Sequence, residues 1–379
     1  MGRNTPPGKP KAAVVKAATA PPAESSFAEV VHLIQQSRQR AYHAVNSELI
    51  DLYWRVGEYI SRRIESEGWG KGTIVALAAF IQRAQTGLRG FSSQNLWRMR
   101  QFYDTYRADQ KLSTLVRELP WSSNLHILNK AKRSEEREFY LRMATRNRWP
   151  VREVARQIET SLFERTVLRP VKLSTALREV HPQAAEFFKD AYIFEFLGLA
   201  QDHSENDLHS GLLRNLGRFI TELGRDFCFI GSEYPVQVGG RDFALDLLFF
   251  HRGLMSLVAI ELKVDEFQPE HLGKLEFYLE ALDRDVRKAH ERPSIGMLLC
   301  ATKDTEVVEY ALSRSVSPTL IAEYQPMLPD KALLRAKLHE FYQLLASSGL
   351  DCDTAVSSSH RNKAPRTKTA PRGKKRAGA

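Results

Sequence analysis

The chain has 379 residues, 43% hydrophobic and 26% charged, with a formal net charge of +10. It is long enough for two ordinary domains with separate cores and has the composition of a soluble globular protein. No apolar run reaches the roughly eighteen residues of a membrane span, and the Pro-, Ala- and Lys-rich start lacks the apolar segment of a secretory signal.

Cys228, Cys300 and Cys352 stand far apart and match no zinc or redox spacing, which predicts two buried strand thiols and one tail thiol in a reducing cytoplasm. The basicity is concentrated at the ends. From Ser359 onward the chain carries +8 and no acid, and residues before Glu24 carry +4, leaving −2 over residues 24–358. Residues 1–25 and 351–379 therefore read as disordered basic arms, either solubilising tails or sequence-blind phosphate binders.

In chain order, Ser26-Phe27-Ala28-Glu29 has the form of a capping box. It opens a helix with apolar residues at Val30, Ile34, Ala41, Val45, Leu49, Leu52, Val56, Ile60 and Ile64. Its aromatic residues Tyr42, Tyr53, Trp54 and Tyr59 offer a partner or dimer surface, hence a homo-oligomer. Gly68 to Gly72 breaks it, and helices over 72–85 and 94–106 follow, joined by Gly87-Leu88-Arg89-Gly90. This pair is either a helix-turn-helix or an αα-hairpin with a solvated face. As a helix-turn-helix, Gln94, Asn95 and Gln101 would read base edges while Arg98 and Arg100 hold phosphates.

Helices over 122–132, 134–147 and 150–162, the last opening with Pro150, complete an all-α domain over 26–165. The mixed, basic stretch 166–182 reads as a linker. An α/β domain over 183–350 follows: helices at 183–197 and 205–223, strands at 227–230, 242–250, 257–264, 295–301 and 320–324, and helices at 269–282, 304–313 and 330–346. This order predicts a mixed sheet flanked by helices.

The segment Asp242 to Asp265 carries the chemistry. Its turn signal is His251 to Met255 with Gly253, and a hairpin symmetric about Gly253–Leu254 places Asp246 across from Glu261, about 4.5–5.5 Å between Cβ atoms. Lys263 shares that face by period two. The reverse face, Phe243, Leu245, Leu247, Phe249, Val258, Ile260, Leu262 and Val264, is wholly apolar and points to a core. Two carboxylates so close repel unless a cation lies between them, and a hard divalent ion resolves the conflict. The competing reading is a semi-buried salt bridge without catalytic duty.

Asp246 followed by Glu261-Leu262-Lys263 on the next strand resembles the PD-(D/E)xK nuclease signature. More closely, Phe243 to Lys263, Pro269 to Leu279, Phe91 to Tyr103 and Glu135 to Tyr140 are similar to the YhcG-like nuclease family of bacteria, over about Phe27 to Ser347. The resemblance implies a restriction-endonuclease-like core and a Mg²⁺ site, Mn²⁺ being the alternative ion. Asp246, Glu261 and the Leu262 carbonyl are its expected ligands, and Lys263 is the catalytic cation. The family places an acid on the preceding helix where this chain has His209; Glu205, one turn earlier, is the candidate replacement. Lys274 falls at the family's polar position on the next helix, as a phosphate contact or an exposed lysine. The expectation is a cytoplasmic, metal-dependent endonuclease hydrolysing phosphodiester bonds in nucleic acid, DNA before RNA. The rival is a catalytically weakened nuclease fold that binds nucleic acid or assembles with partners.

Overall fold

The computed structural model describes residues 24–200 and 202–347; of the expected arm 1–25, residues 1–23 lie outside them while Glu24 and Ser25 begin the first helix ahead of the expected start at Ser26, and the tail 351–379 with its Cys352 also lies outside. The chain divides into two compact units, one ending at Trp121 and the other beginning at Ser122. Among the described residues no helix is long and apolar enough to cross a membrane.

The first unit is built on α1 (Glu24–Glu67), α2 (Lys71–Ala84), α3 (Ser93–Tyr106) and α4 (Gln110–Leu115). Its core joins Tyr53 and Ile60 of α1 to Ile74 and Ala78 of α2 and to Leu96 and Met99 of α3. Gly57 lets α1 and α3 approach closely, since a Cβ there would lie 2.2 Å from the Met99 carbonyl oxygen. Ser92 caps α3 by accepting from the Asn95 N–H. Asn95 itself accepts from Trp121 Nε1 at 3.0 Å and donates to the Gly90 carbonyl, so both ends of its amide are engaged within the unit.

The second unit opens within α5 (Trp121–Lys130), after its first residue, and continues with α6 (Ser134–Asn147), α7 (Val151–Glu159), α8 (Leu162–Leu168) and α9 (Thr175–Val180). Residues 166–182, expected as a connector, contain the end of α8, a bridge from Leu173 to Leu320 and all of α9, with Leu173, Ser174 and Leu177 buried. The expected helix over 183–197 is instead two short 3₁₀ turns around an edge strand, β1 (Ala191–Ile193). The physical reason is all-round burial: Ala191, Tyr192, Ile193 and Phe194 are all buried, which suits a strand between two layers rather than a surface helix. The expected helix over 205–223 breaks at Asn215 into α10 (Glu205–Arg214) and α11 (Leu216–Leu223), and the Asn215 amide donates to the Gly211 carbonyl.

Next come β2 (Phe227–Val238), β3 (Arg241–His251), β4 (Ser256–Glu266), α12 (His271–Ala281), β5 (Arg292–Thr302), α13 (Thr305–Ser313), β6 (Thr319–Gln325) and α14 (Lys331–Ser347). The six strands form one mixed sheet in the order β1-β6-β5-β4-β3-β2. Strands β2, β3 and β4 are antiparallel and the other pairings parallel, as expected of hairpins followed by crossovers. β2 is longer than its apolar run suggests because it follows β3 back from a turn at Gly239-Gly240, both at positive φ. Cys228 on this edge strand is exposed, contrary to expectation, whereas Cys300 on central β5 is buried. One face of the sheet packs against Leu208, Leu212 and Phe219 of α10 and α11, the other against Leu272, Leu275 and Leu279 of α12. Gly296 of β5 brings α12 down tightly, since a Cβ there would meet Leu275 at 2.9 Å.

A buried charge network ties the helical layer to the sheet. Glu222 of α11, fully buried, pairs with Arg156 of α7 at 2.6 Å and Lys189 at 3.0 Å, and accepts from the Ile193 N–H of β1. Burial alone would push its carboxyl up, but Lys189, Arg156 and Arg165 outweigh that and hold it at about 2. Because this folded value lies below the ordinary 4.5, the stability it contributes is complete above about pH 4.5 and is lost as the pH falls toward 2. Glu222→Ala should cost about 3–5 kcal/mol at neutral pH, since it leaves buried cations uncompensated. Urea melts at pH 7 and pH 3 check this, with a markedly smaller difference between variant and parent expected at pH 3.

Candidate active site

The β3–β4 hairpin takes the register expected from its turn: Leu247 pairs with Ile260, Phe249 with Val258 and His251 with Ser256. The paired register ends at Leu247–Ile260, one residue before Asp246 and Glu261. Each of three backbone groups beside this end has a side-chain partner. Asp246 Oδ2 accepts from the Leu262 N–H at 2.8 Å, Tyr278 of α12 donates its hydroxyl to the Ala244 carbonyl at 2.7 Å, and His209 Nε2 of α10 lies 3.2 Å from the Asp246 carbonyl.

The opening also reverses a face. Leu247 and Phe249 pack on the α10–α11 side, but Leu245 is buried on the α12 side and Phe243 meets Phe277 of α12 at 4.8 Å. The expected single apolar reverse face therefore ends at Asp246, where β3 turns over as it leaves β4.

The charged residues gather around this opening. Glu261 is fully buried; its Oε1 is 2.5 Å from Lys274 Nζ and 3.4 Å from Lys263 Nζ, and its Oε2 is buried without a hydrogen-bond partner. Lys263 donates to Glu205 at 3.0 Å and to the Leu262 carbonyl at 2.9 Å. Asp246, Glu261, Leu262, Lys263, Glu205, His209 and Lys274 are thus brought together around one opening. Glu205 enters it through Lys263, and Lys274 is an ion-pair partner of Glu261.

Burial and the neighbouring Asp246 raise the Glu261 carboxyl above the ordinary range, and Lys274 and Lys263 pull it only partly back. Burial disfavours the charge on Lys274, but the hydrogen bond and charge of Glu261 prevail and raise its pKa. His271, at the start of α12, is lowered by burial and by Lys263.

Sequence reasoning singled out neither Tyr278 nor His271. The signal for Tyr278 was present, four residues after Lys274 on one helix face. Tyr324 has no such signal: its hydroxyl, 2.7 Å from His203 Nε2, is held up at about 12 by burial, Cys300, Asp265 and Glu205.

Among the described residues no group of three or more His, Cys, Asp or Glu side chains is arranged to hold a metal. The donors at the opening are two carboxylates and the Leu262 carbonyl. They fit a hard cation, because a buried carboxylate oxygen without a donor, beside a second carboxylate, is what such an ion satisfies.

Arg98 and Arg100 lie on α3 in the first unit. Arg100 pairs with Asp104 at 3.1 Å and stacks over Trp97, and with Arg98, Gln94 and Gln101 they line an open groove of about 520 Å³.

Removing Lys274 should drive Glu261 further up. Because the folded value already exceeds the ordinary 4.5, ionised Glu261 detracts from stability as the pH rises past about 4.5, and the loss is absent where it is protonated. Lys274→Met should therefore lower the melting temperature at pH 7 and leave it nearly unchanged at pH 4. A carbon-13 titration of the Glu261 carboxyl reads the shift directly.

Two family models match the chain: a YhcG PDDEXK nuclease domain over residues 185–339 and a DUF1016 N-terminal domain over residues 29–165. A protein of Escherichia coli (strain K12), named "Putative nuclease YhcG", is 31% identical over 347 residues, covering 82% of this chain and 92% of that protein. Among solved structures, a repair endonuclease from Pyrococcus abyssi matches at 14% identity over 35% of this chain (TM-score 0.23), and EndoMS in apo form at 16% over 35% (TM-score 0.22). The chain spans about half the length of each of those two.

Proposed function

The chain belongs to the YhcG family, with a PD-(D/E)xK nuclease domain behind a DUF1016 N-terminal domain, and on that premise we propose that it is a magnesium-dependent endonuclease acting on DNA in the cytoplasm. The observation that carries this reading is the convergence of Asp246, Glu261 and Lys263 where β3 parts from β4.

In this reading Asp246, Glu261 and the Leu262 carbonyl hold the ion, with Mn²⁺ as a substitute. Bound there, the metal supplies Lewis-acid polarisation of a phosphodiester oxygen and a water ionised near neutral pH. Lys263, aimed by Glu205 and the Leu262 carbonyl, stabilises charge growing on the phosphate and positions the attacking water. Lys274, half-exposed at its helix face, contacts substrate phosphate. His209 fixes the β3 backbone at Asp246 rather than donating a carboxylate, leaving Glu205 as the acid from α10. On α3, Arg98 and Arg100 hold the nucleic-acid backbone, with Gln94 and Gln101 toward base edges.

A second reading has its own support. Two lysines already lie on Glu261, and the place of a third acid is taken by His209. A weakened nuclease fold retained for nucleic-acid binding or assembly fits those facts as well.

Single-turnover cleavage of plasmid, linear, single-stranded and branched DNA and of RNA, in Mg²⁺ or Mn²⁺ with binding assayed in Ca²⁺, separates the two. Lys263→Ala should lower the cleavage rate by about 10²–10³ with little effect on binding, because its charge acts mainly in the transition state. Asp246→Asn should weaken Mn²⁺ binding by calorimetry while the melting curve stays cooperative. Binding without cleavage by the parent, together with cleavage by His209→Glu, would decide for the weakened fold.

A further inference from the structure

The long helix α1 carries a surface that neither unit 1 packing nor the nuclease reading uses. From Val31 to Val45 every described side chain is exposed. Packing begins at Asn46, whose amide donates to the Arg117 and Leu119 carbonyls. A helical stretch so exposed over that length is marginal in water unless something covers it.

Leu33 apart, the exposed large apolar residues of this stretch follow one line. Val31, Ile34, Tyr42, Val45, Leu49 and Leu52 are all exposed, Tyr42 at 70% and Val45 at 69%, and Arg38 stands between Ile34 and Tyr42. Their mean step is about 3.5 residues, the repeat that keeps a seam facing a second helix over three heptads. At 3.6 residues per turn the stripe runs alongside the face of Ile50, Tyr53, Gly57 and Ile60, which look into the unit, and the two meet at one edge, where Tyr42 falls in line with Ile60.

We propose that this stripe is the interface of a homodimer, in which the α1 helices of two copies pair antiparallel about a twofold axis beside Ala41 and Tyr42. The pattern is complementary to itself only in that direction. Val31 then meets Leu52 of the second copy, Ile34 meets Leu49, and small Ala41 meets Tyr42 across the axis. Arg38 falls beside Val45 of the second copy, one turn from Glu48, so each end gains an opposite-charge pair. A parallel pairing would set Arg38 against Arg38 and Glu48 against Glu48. A twofold contact of this kind closes on itself and stops at two copies, and one polar residue within the seam fixes its register. The paired segment is about 33 Å long.

The test is the mass of the full chain by light scattering after size exclusion, from about 1 to 100 μM. The parent should be a dimer. Val45→Asp, at an exposed position, should raise the dissociation constant on the order of a hundredfold, because each dimer buries that residue twice. Its main melting transition should stay in place once dilution has separated the parent as well. Arg38→Glu should weaken association and Arg38→Glu with Glu48→Arg should restore it. A parent that is monomeric throughout, a dimer indifferent to Val45→Asp, or a charge reversal that rescues nothing would each overturn the proposal.

Discussion

The Asp246 carboxylate accepting the Leu262 N–H is the contact around which the rest of the site is arranged. Two antiparallel strands that part in the middle of a protein must leave backbone donors and acceptors behind, and each buried group without a partner costs about 1–3 kcal/mol. Here a side chain of β3 takes the donor of β4, a tyrosine of α12 and a histidine of α10 take two carbonyls of β3, and the gap between the strands becomes affordable.

The same opening explains the charge pattern. Glu261 is drawn into the interior by the apolar run of β4 around it, and only an adjacent cation makes its ionisation tolerable. Lys274 and Lys263 both reach its Oε1, one from α12 and one from β4 itself. Glu205 balances Lys263 in turn, so the site is a chain of alternating charges running from one helical layer to the other.

Much of this was legible in the residues. The turn at Gly253 sufficed to set the hairpin register, because a single short loop between two alternating runs leaves little freedom. Glu205 was reachable by counting one helical turn back from His209. The reversal of β3 at Asp246 was not legible, since alternation assumes a continuous ladder and the partners that end it come from distant helices. For the same reason the Lys274–Glu261 pair could not be read, though both residues had been singled out. The stretch 183–197 misled because its aromatic and aliphatic residues suit a helix face or a buried strand equally, and only the neighbouring β6 decides.

The Glu222 network has a consequence for how this protein can be divided or inherited. The nuclease match begins at residue 185 and the preceding match ends at 165, yet Arg156 reaches across that gap to Glu222, and Arg165 to the Ala191 carbonyl. Cutting or recombining the chain between the two matches would separate a buried acid from its guanidinium and a buried guanidinium from its carbonyl. The seam between the sequence families is therefore not a folding boundary. A nuclease half on its own must bring α7 and α8 with it, and two halves drawn from different relatives would have to agree on these charges before they agreed on anything catalytic.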